Sequence, residues 1–327
     1  MEARYWHDSP MTRSSLTVAT YNVYLGADLA LLFGAASIEE LAGRADLVRA
    51  QLAATDFEQR AHAVARLVVR EGVDVLGVQE VTRWGSAPVL AGGGLGPDEP
   101  VVDFLPLLLD AFEAEGAPYD VHAVNENFAG GLPVGDEWLS ILGANVVLVR
   151  RGGAFTVTGE RTGTFDTVLD MPTGIDGVVF PISRSWGAVD GTVDGRPLQF
   201  VVTHTEAYDA LPRDAQRDEL VKAIGDPDCP VVVVGDFNAR PHDVGMPVEY
   251  VDAWAAAGLD PDAGFTCGQA AVLDNGDSML DERIDYVFVR DLDVRECVVV
   301  GDRPEDRTQP GGLWPSDHAG VVARLEF

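Results

Sequence analysis

Val231-Val232-Val233-Val234-Gly235-Asp236-Phe237-Asn238 is the stretch whose reading decides the fold. Successive valines fit a strand buried on both faces, because a strand with one solvated face would alternate apolar and polar residues. Gly235 leaves the chain free to turn, and polar residues follow at alternate positions. If strand geometry persists, Asp236 and Asn238 point to one side and Phe237 to the other. A carboxylate and an amide then stand together at the end of a rigid strand. The same pair also reads as a cap on the next turn, so the rest of the chain has to decide.

Working outward, other apolar runs deliver polar residues in the same way. Leu16 to Tyr21 reads as a strand ending in Asn22, and Val73 to Val78 as one ending in Gln79-Glu80. Leu198 to Thr203 ends in His204, Arg283 to Val289 carries Asp285, and Ser316-Asp317-His318 opens the last apolar run. Further strands are expected at Tyr119 to Val124, Ala144 to Val149 and Phe155 to Thr158. Arg184-Ser185-Trp186 leads into a hairpin that turns at Asp194-Gly195. Between strands, Ser37 and Glu40 form a capping box for a helix running towards Ala54. A second helix is expected from about Asp56, with Gly72 just past its end. Others are expected around Val102 to Phe112, from Pro212 to Ile224 and near Val248 to Ala257. Asn125 to Ser140 lacks periodicity and reads as a surface loop able to touch substrate. The run Ala91 to Gly96 lacks the Lys-Ser/Thr ending of a phosphate-binding loop.

Composition narrows the field. The 327 residues are 46% hydrophobic and carry 23 basic against 53 acidic side chains, a formal charge of −30. Lys222 is the only lysine. The basic stripe of a dedicated duplex binder is missing, although bound divalent cations could reverse the field locally. Cys229, Cys267 and Cys297 lack metal-type spacing and suit a reducing compartment. No signal-peptide core and no membrane-length apolar run is visible, so a cytoplasmic monomer is expected. Residues 1–15 read as a flexible segment and 16–327 as a single domain.

Any one of these strand-end residues could be a cap, but Asn22, Glu80, His204, Asp236, Asn238, Asp285, Asp317 and His318 together are hard to explain that way. Strands followed by outer helices predict an α/β fold in which two sheets gather these ends at one rim.

With these motifs in order, the chain resembles the endonuclease/exonuclease/phosphatase family, which includes deoxyribonuclease I. Thr20-Tyr21-Asn22, Gln79-Glu80, Thr203-His204, Gly235-Asp236-Phe237-Asn238, Arg283-Ile284-Asp285-Tyr286 and Ser316-Asp317-His318 carry the resemblance. It departs from the pattern at Thr205, where many members carry Leu, and at 26–54, which looks like an insertion. The resemblance implies a four-layer α/β/β/α sandwich and Mg²⁺- or Mn²⁺-dependent hydrolysis of a phosphoester. It also implies metal binding at Glu80, Asn22 and Asp317, and water activation by Asp236. Asn238, His204, Arg184 and Asn145 would contact phosphate, and Asp285 would hold His318 for charge stabilisation or proton transfer. A small or lipid-derived phosphoester is the expected substrate. A nucleic-acid substrate is the alternative the acidic charge disfavours, and an inactive binding module a third, opposed by the intact motif positions. The apolar turn Leu29 to Phe33 reads either as packing or as a wall for the substrate's non-phosphate part.

Overall fold

The computed structural model describes residues 14–172, 174, 175, 177 and 179–327. Most of the N-terminal segment read as flexible lies outside the described residues. In chain order the elements are β1 (Ser15–Asn22), α1 (Ile38–Ala54), α2 (Phe57–Arg70), β2 (Val75–Pro88), β3 (Glu99–Asp103) and α3 (Phe104–Ala114). There follow β4 (Tyr119–Val134), β5 (Glu137–Arg150), β6 (Phe155–Thr164), β7 (Leu169–Pro172), β8 (Val179–Ile182), β9 (Ser185–Val193) and β10 (Arg196–His204). The chain ends with α4 (Ala210–Ile224), β11 (Val231–Asp236), β12 (Val251–Asp252), α5 (Ala253–Ala256), β13 (Asp285–Arg290), β14 (Asp293–Val300) and β15 (Gly320–Glu326).

One sheet runs β14-β15-β1-β2-β5-β4, with β3 paired to β2, and the other runs β12-β13-β11-β10-β9-β6. Between them lies a core of Leu16, Val18, Val75, Val202, Val234 and Val287. A second apolar layer puts α1, α2 and α3 on the outside of the first sheet. A third packs Leu220 and Ile224 of α4 against Val231, Val233 and Phe237 on the outside of the second. This is the α/β/β/α sandwich. The valines of β11 divide as a doubly buried strand requires, Val232 and Val234 facing the other sheet and Val231 and Val233 facing α4. Gly235 keeps the strand going instead of turning it: a Cβ there would meet the Thr203 carbonyl oxygen at 2.2 Å. No helix among the described residues is long and apolar enough to cross a membrane.

Local readings need correction. β2 does not stop at Val78; it runs to Pro88, with a bulge between Val78 and Val81 that holds Gln79 and Glu80. Asn125 to Ser140 is no loop: it forms most of the β4–β5 hairpin. Bulges in β4, between His122 and Asn125 and between Glu126 and Phe128, shift the alternation and erase the period-2 signal. The helix expected from Val248 to Ala257 is only the short α5. The capping box is present, with the Glu40 amide donating to Ser37 Oγ at 3.1 Å.

Candidate active site

Sheet register assembles the site. β10 and β11 run parallel with His204 beside Asp236, and β13 is antiparallel to β11 with Asp285 beside Asp236. The residues two before each, Val202, Val234 and Val287 two after Asp285, belong to the core between the sheets, so all three site side chains continue that inner face. On the facing sheet, Leu16 and Val18 place Asn22 on the inner face of β1 by the same alternation. The fully buried Asn22 closes the gap, its Nδ2 donating to Glu80 Oε1 and to Asp236 Oδ2, both at 3.1 Å. Its Oδ1 accepts from the Tyr24 amide at 3.0 Å. An amide N–H can only donate, which fixes the oxygen towards Tyr24 and the nitrogen towards the carboxylates. Asn22 therefore orients Glu80 and Asp236, with its oxygen already engaged.

Glu80 sits at the bulge with φ +59°, and Asn238 just beyond β11 has φ +48°. Left-handed backbone at such residues costs of order 1–3 kcal/mol and persists where surroundings over-determine it. Here the Leu25 amide donates to Glu80 Oε2 at 2.7 Å, and Asn238 Nδ2 donates to the Thr205 carbonyl at 2.9 Å. The Asn238 amide also donates to Asp236 Oδ1 at 2.8 Å. Asp236 is buried, and that burial with the nearby Asp285 charge pushes its carboxyl up to about 7.

Two histidines flank Asp236 Oδ2, His204 Nε2 at 3.5 Å and His318 Nε2 at 3.8 Å. Their environments are opposite. Burial, Arg184 and His318 hold His204 well below the usual imidazole value. Burial would also lower His318, but Asp285, Cys267, Asp317 and Asp236 outweigh it and raise the ring well above that value. His318 Nδ1 stands 2.9 Å from Asp285 Oδ2. Arg184 Nη1 lies 3.2 Å from His204 Nε2, and its Nε lies 3.5 Å from Glu206, a fully buried carboxylate.

Asp317 is pushed up to about 6, chiefly by burial, with Glu80 raising it further. Among the described residues neither Glu80 nor Asp317 has an Arg or Lys partner, and both face one cavity of about 370 Å³. Two convergent carboxylates lacking a cationic partner are a hard-oxygen donor set that fits Mg²⁺ or Mn²⁺. Asp236, Asp285 and His318 also bring one ligand atom each within 4.8 Å of one another. A ligating imidazole must be neutral, however, and the protonated form of His318 is the one favoured here.

The cavity brings Glu80, Arg184, His204, Asp236, Asn238, Asp317 and His318 together. Asp285 stands behind His318. Asn145 does not reach the cavity wall; it is fully buried and its Nδ2 donates to the Ser185 carbonyl and hydroxyl at 3.2 and 3.1 Å. Arg60 was missed by the sequence reading. It is buried on α2 and donates to the carbonyls of Val23, Tyr24, Thr55 and Pro315. Its signal was available: Phe57, Arg60, Ala61 and Val64 follow the spacing of one buried helix face.

The family model described as Endonuclease/Exonuclease/phosphatase family matches residues 19–318. No curated protein matches the chain. Truncated TDP2 from Caenorhabditis elegans is 20% identical, with TM-score 0.59, covering 96% of this chain and 98% of that one. TDP2 from D. rerio, solved with a single-strand DNA product, is 16% identical with TM-score 0.59, covering 96% and 100%. A mannosyl-6-phosphatase from Bacteroides thetaiotaomicron is 18% identical with TM-score 0.58, covering 95% and 100%. At these identities the likeness is one of fold, and it agrees with the match that spans nearly the whole sequence. The chain belongs to the endonuclease/exonuclease/phosphatase family.

Proposed function

We propose that the chain is a divalent-metal-dependent phosphoesterase in which Asp236 activates the attacking water. One observation carries this reading: Asn22 Nδ2, His204 Nε2 and His318 Nε2 converge on the Oδ2 of a single buried carboxylate at 3.1, 3.5 and 3.8 Å, in the wall of a cavity. A carboxylate raised to about 7 is matched to accepting a proton near neutral pH. Asn22 and the Asn238 amide hold its two oxygens, so the remaining lone pairs are aimed. Asn238 spends one side-chain N–H on Thr205 and keeps the other for a phosphoryl oxygen. His318, kept protonated by Asp285, offers its Nε2–H to the charge that develops on phosphorus oxygens. Neutral His204, beside Arg184, lies across from it. Glu80 and Asp317 would hold a divalent ion, which when bound would supply charge neutralisation during in-line displacement.

The DNA held by one structural relative favours a nuclease as second reading. The net charge of −30 weighs against it. The test is hydrolysis of bis(p-nitrophenyl) phosphate and p-nitrophenyl phosphate with Mg²⁺ or Mn²⁺, beside plasmid and single-stranded DNA. Turnover should vanish in excess chelator and in Asp236→Asn. Full activity under chelation would refute the metal assignment.

A further inference from the structure

The cavity wall is of two kinds. Besides Asp236 and the histidines it carries Leu29, Leu32 and Phe33 from the turn after β1, Phe128 and Ile141 from the β4–β5 hairpin, and Phe180 of β8. Phe33 meets the Tyr208 ring edge-on at 5.3 Å, tying that turn to the loop after β10. Within this wall Asn127 is 9% exposed, and its carboxamide has no hydrogen-bond partner among the described residues. It is the extra residue of a bulge, since pairing passes from Glu126–Ala144 straight to Phe128–Gly143. Bulges re-aim a side chain. Gly143 leaves the space, for a Cβ there would come within 3.2 Å of Asn127 Oδ1. Several other polar side chains in the wall are spent: Thr82 on the Glu80 carbonyl, Tyr24 on the Ala271 carbonyl, Gln269 on Ser278, Asn275 and Met279. Among the described residues lining the cavity, Arg184 is the only Arg or Lys, while Asp28, Glu80, Asp236 and Asp317 are acidic. Such a wall serves one phosphoryl group and repels further anions.

We propose that the cavity selects esters with a single phosphoryl group on an uncharged, largely apolar alcohol bearing a hydroxyl or carbonyl that Asn127 meets. This rests on the phosphoesterase reading above. About 370 Å³ is the size of a small-molecule site, with room for an alcohol beside its phosphoryl group. An amide offers both donor and acceptor, so either polar group suits it.

The test measures kcat/KM with Mg²⁺ for p-nitrophenyl phosphodiesters whose second ester is an alkyl chain lengthened from methyl to octyl. Wild-type values should rise by up to about fourfold per methylene until the cavity is filled. Phe33→Ser should lower the octyl-to-methyl ratio by about tenfold or more. A chain hydroxyl placed at the right carbon should gain about five- to tenfold over its alkyl isostere, and Asn127→Leu should erase that gain. Should Phe33→Ser fold poorly by melting temperature, the wild-type chain-length profile carries the test alone. A flat profile overturns the proposal, as does an oligonucleotide or an inositol polyphosphate turned over faster than the octyl ester. Absence of Mg²⁺-dependent hydrolysis of every ester would instead sink the phosphoesterase reading itself.

Discussion

His318 and Asp285 form a buried pair in which Nδ1 faces Oδ2 at 2.9 Å while Asp285 Oδ1, also buried, has no partner among the described residues. A carboxylate so placed has one interaction to make, and the register of β13 against β11 holds it there. Removing either member strips the other of its purpose. Asp285→Ala and His318→Ala should each lower turnover by about 10²-fold or more, and the double variant by little beyond the worse single one. Losses that multiply in the double variant would mean that the two residues act separately.

The two histidines at Asp236 should differ in charge near neutral pH. Long-range ¹H–¹⁵N spectra at pH 6.5 should find His318 as imidazolium and His204 neutral, with His204→Gln and His318→Gln supplying assignments. Their stability contributions run in opposite directions. His318 has its folded value raised, so its contribution is complete below 6.5 and is lost as pH rises through the folded value. His204 has its folded value lowered, so its contribution is present above 6.5 and is lost as pH falls through the folded value. Both rings titrating together near 6.5 would show that Asp285 does not keep His318 protonated.

The acidic rim is a strain that metal should relieve. Folded-state values for Asp236 and Asp317 are raised from 3.8 to about 7 and about 6. Such groups favour folding below 3.8 and lose that contribution as pH rises through the folded values. In chelator, Asp236→Asn should therefore melt at or above wild type at pH 8, while losing about 10²-fold or more of activity when metal is restored. Mg²⁺ should raise the melting temperature of wild type and do so less for Glu80→Gln. An equal rise in both would take Glu80 out of the metal site.

Strand-borne parts of the site were legible in the sequence because apolar runs give strand ends, and a polar residue after such a run is visible. Asn22, His204, Asp236 and Asp285 are of this kind. Parts made by irregular backbone were not. The bulge holding Glu80 looked like a strand end, and the bulge aiming Asn127 destroyed the alternation around it, so a hairpin read as a loop. Phe180 reaches the cavity from a ribbon, β7–β8, too short for any period to show. The turn from Leu29 to Phe33 left two readings open, packing or a substrate wall: Leu32 is buried in the core layer, and with Leu29 and Phe33 it also lines the cavity.

Arg60 should prove to be a positioning residue for both sides of the site. Its guanidinium is fully buried, stacked 4.9 Å from the Phe57 ring centroid, and binds carbonyls in place of a carboxylate among the described residues. Nη1 donates to Val23 at 2.6 Å and to Pro315 at 3.1 Å, and Nη2 to Tyr24 at 3.1 Å. Val23 and Tyr24 follow Asn22, and Pro315 precedes Ser316-Asp317, so one side chain ties together the segments that carry both. Burial lowers its value to about 10, which leaves it charged at neutral pH. Arg60→Met should destabilise by at least about 3 kcal/mol, because several buried carbonyls lose their donor at about 1–3 kcal/mol each. Arg60→Lys separates charge from geometry: an ammonium keeps the charge but cannot reproduce the planar fork. It should recover part of the melting temperature while turnover stays at least about tenfold low, the scale on which small misplacement of catalytic groups acts. Wild-type turnover in Arg60→Lys would show that the charge alone matters and that the fork positions nothing.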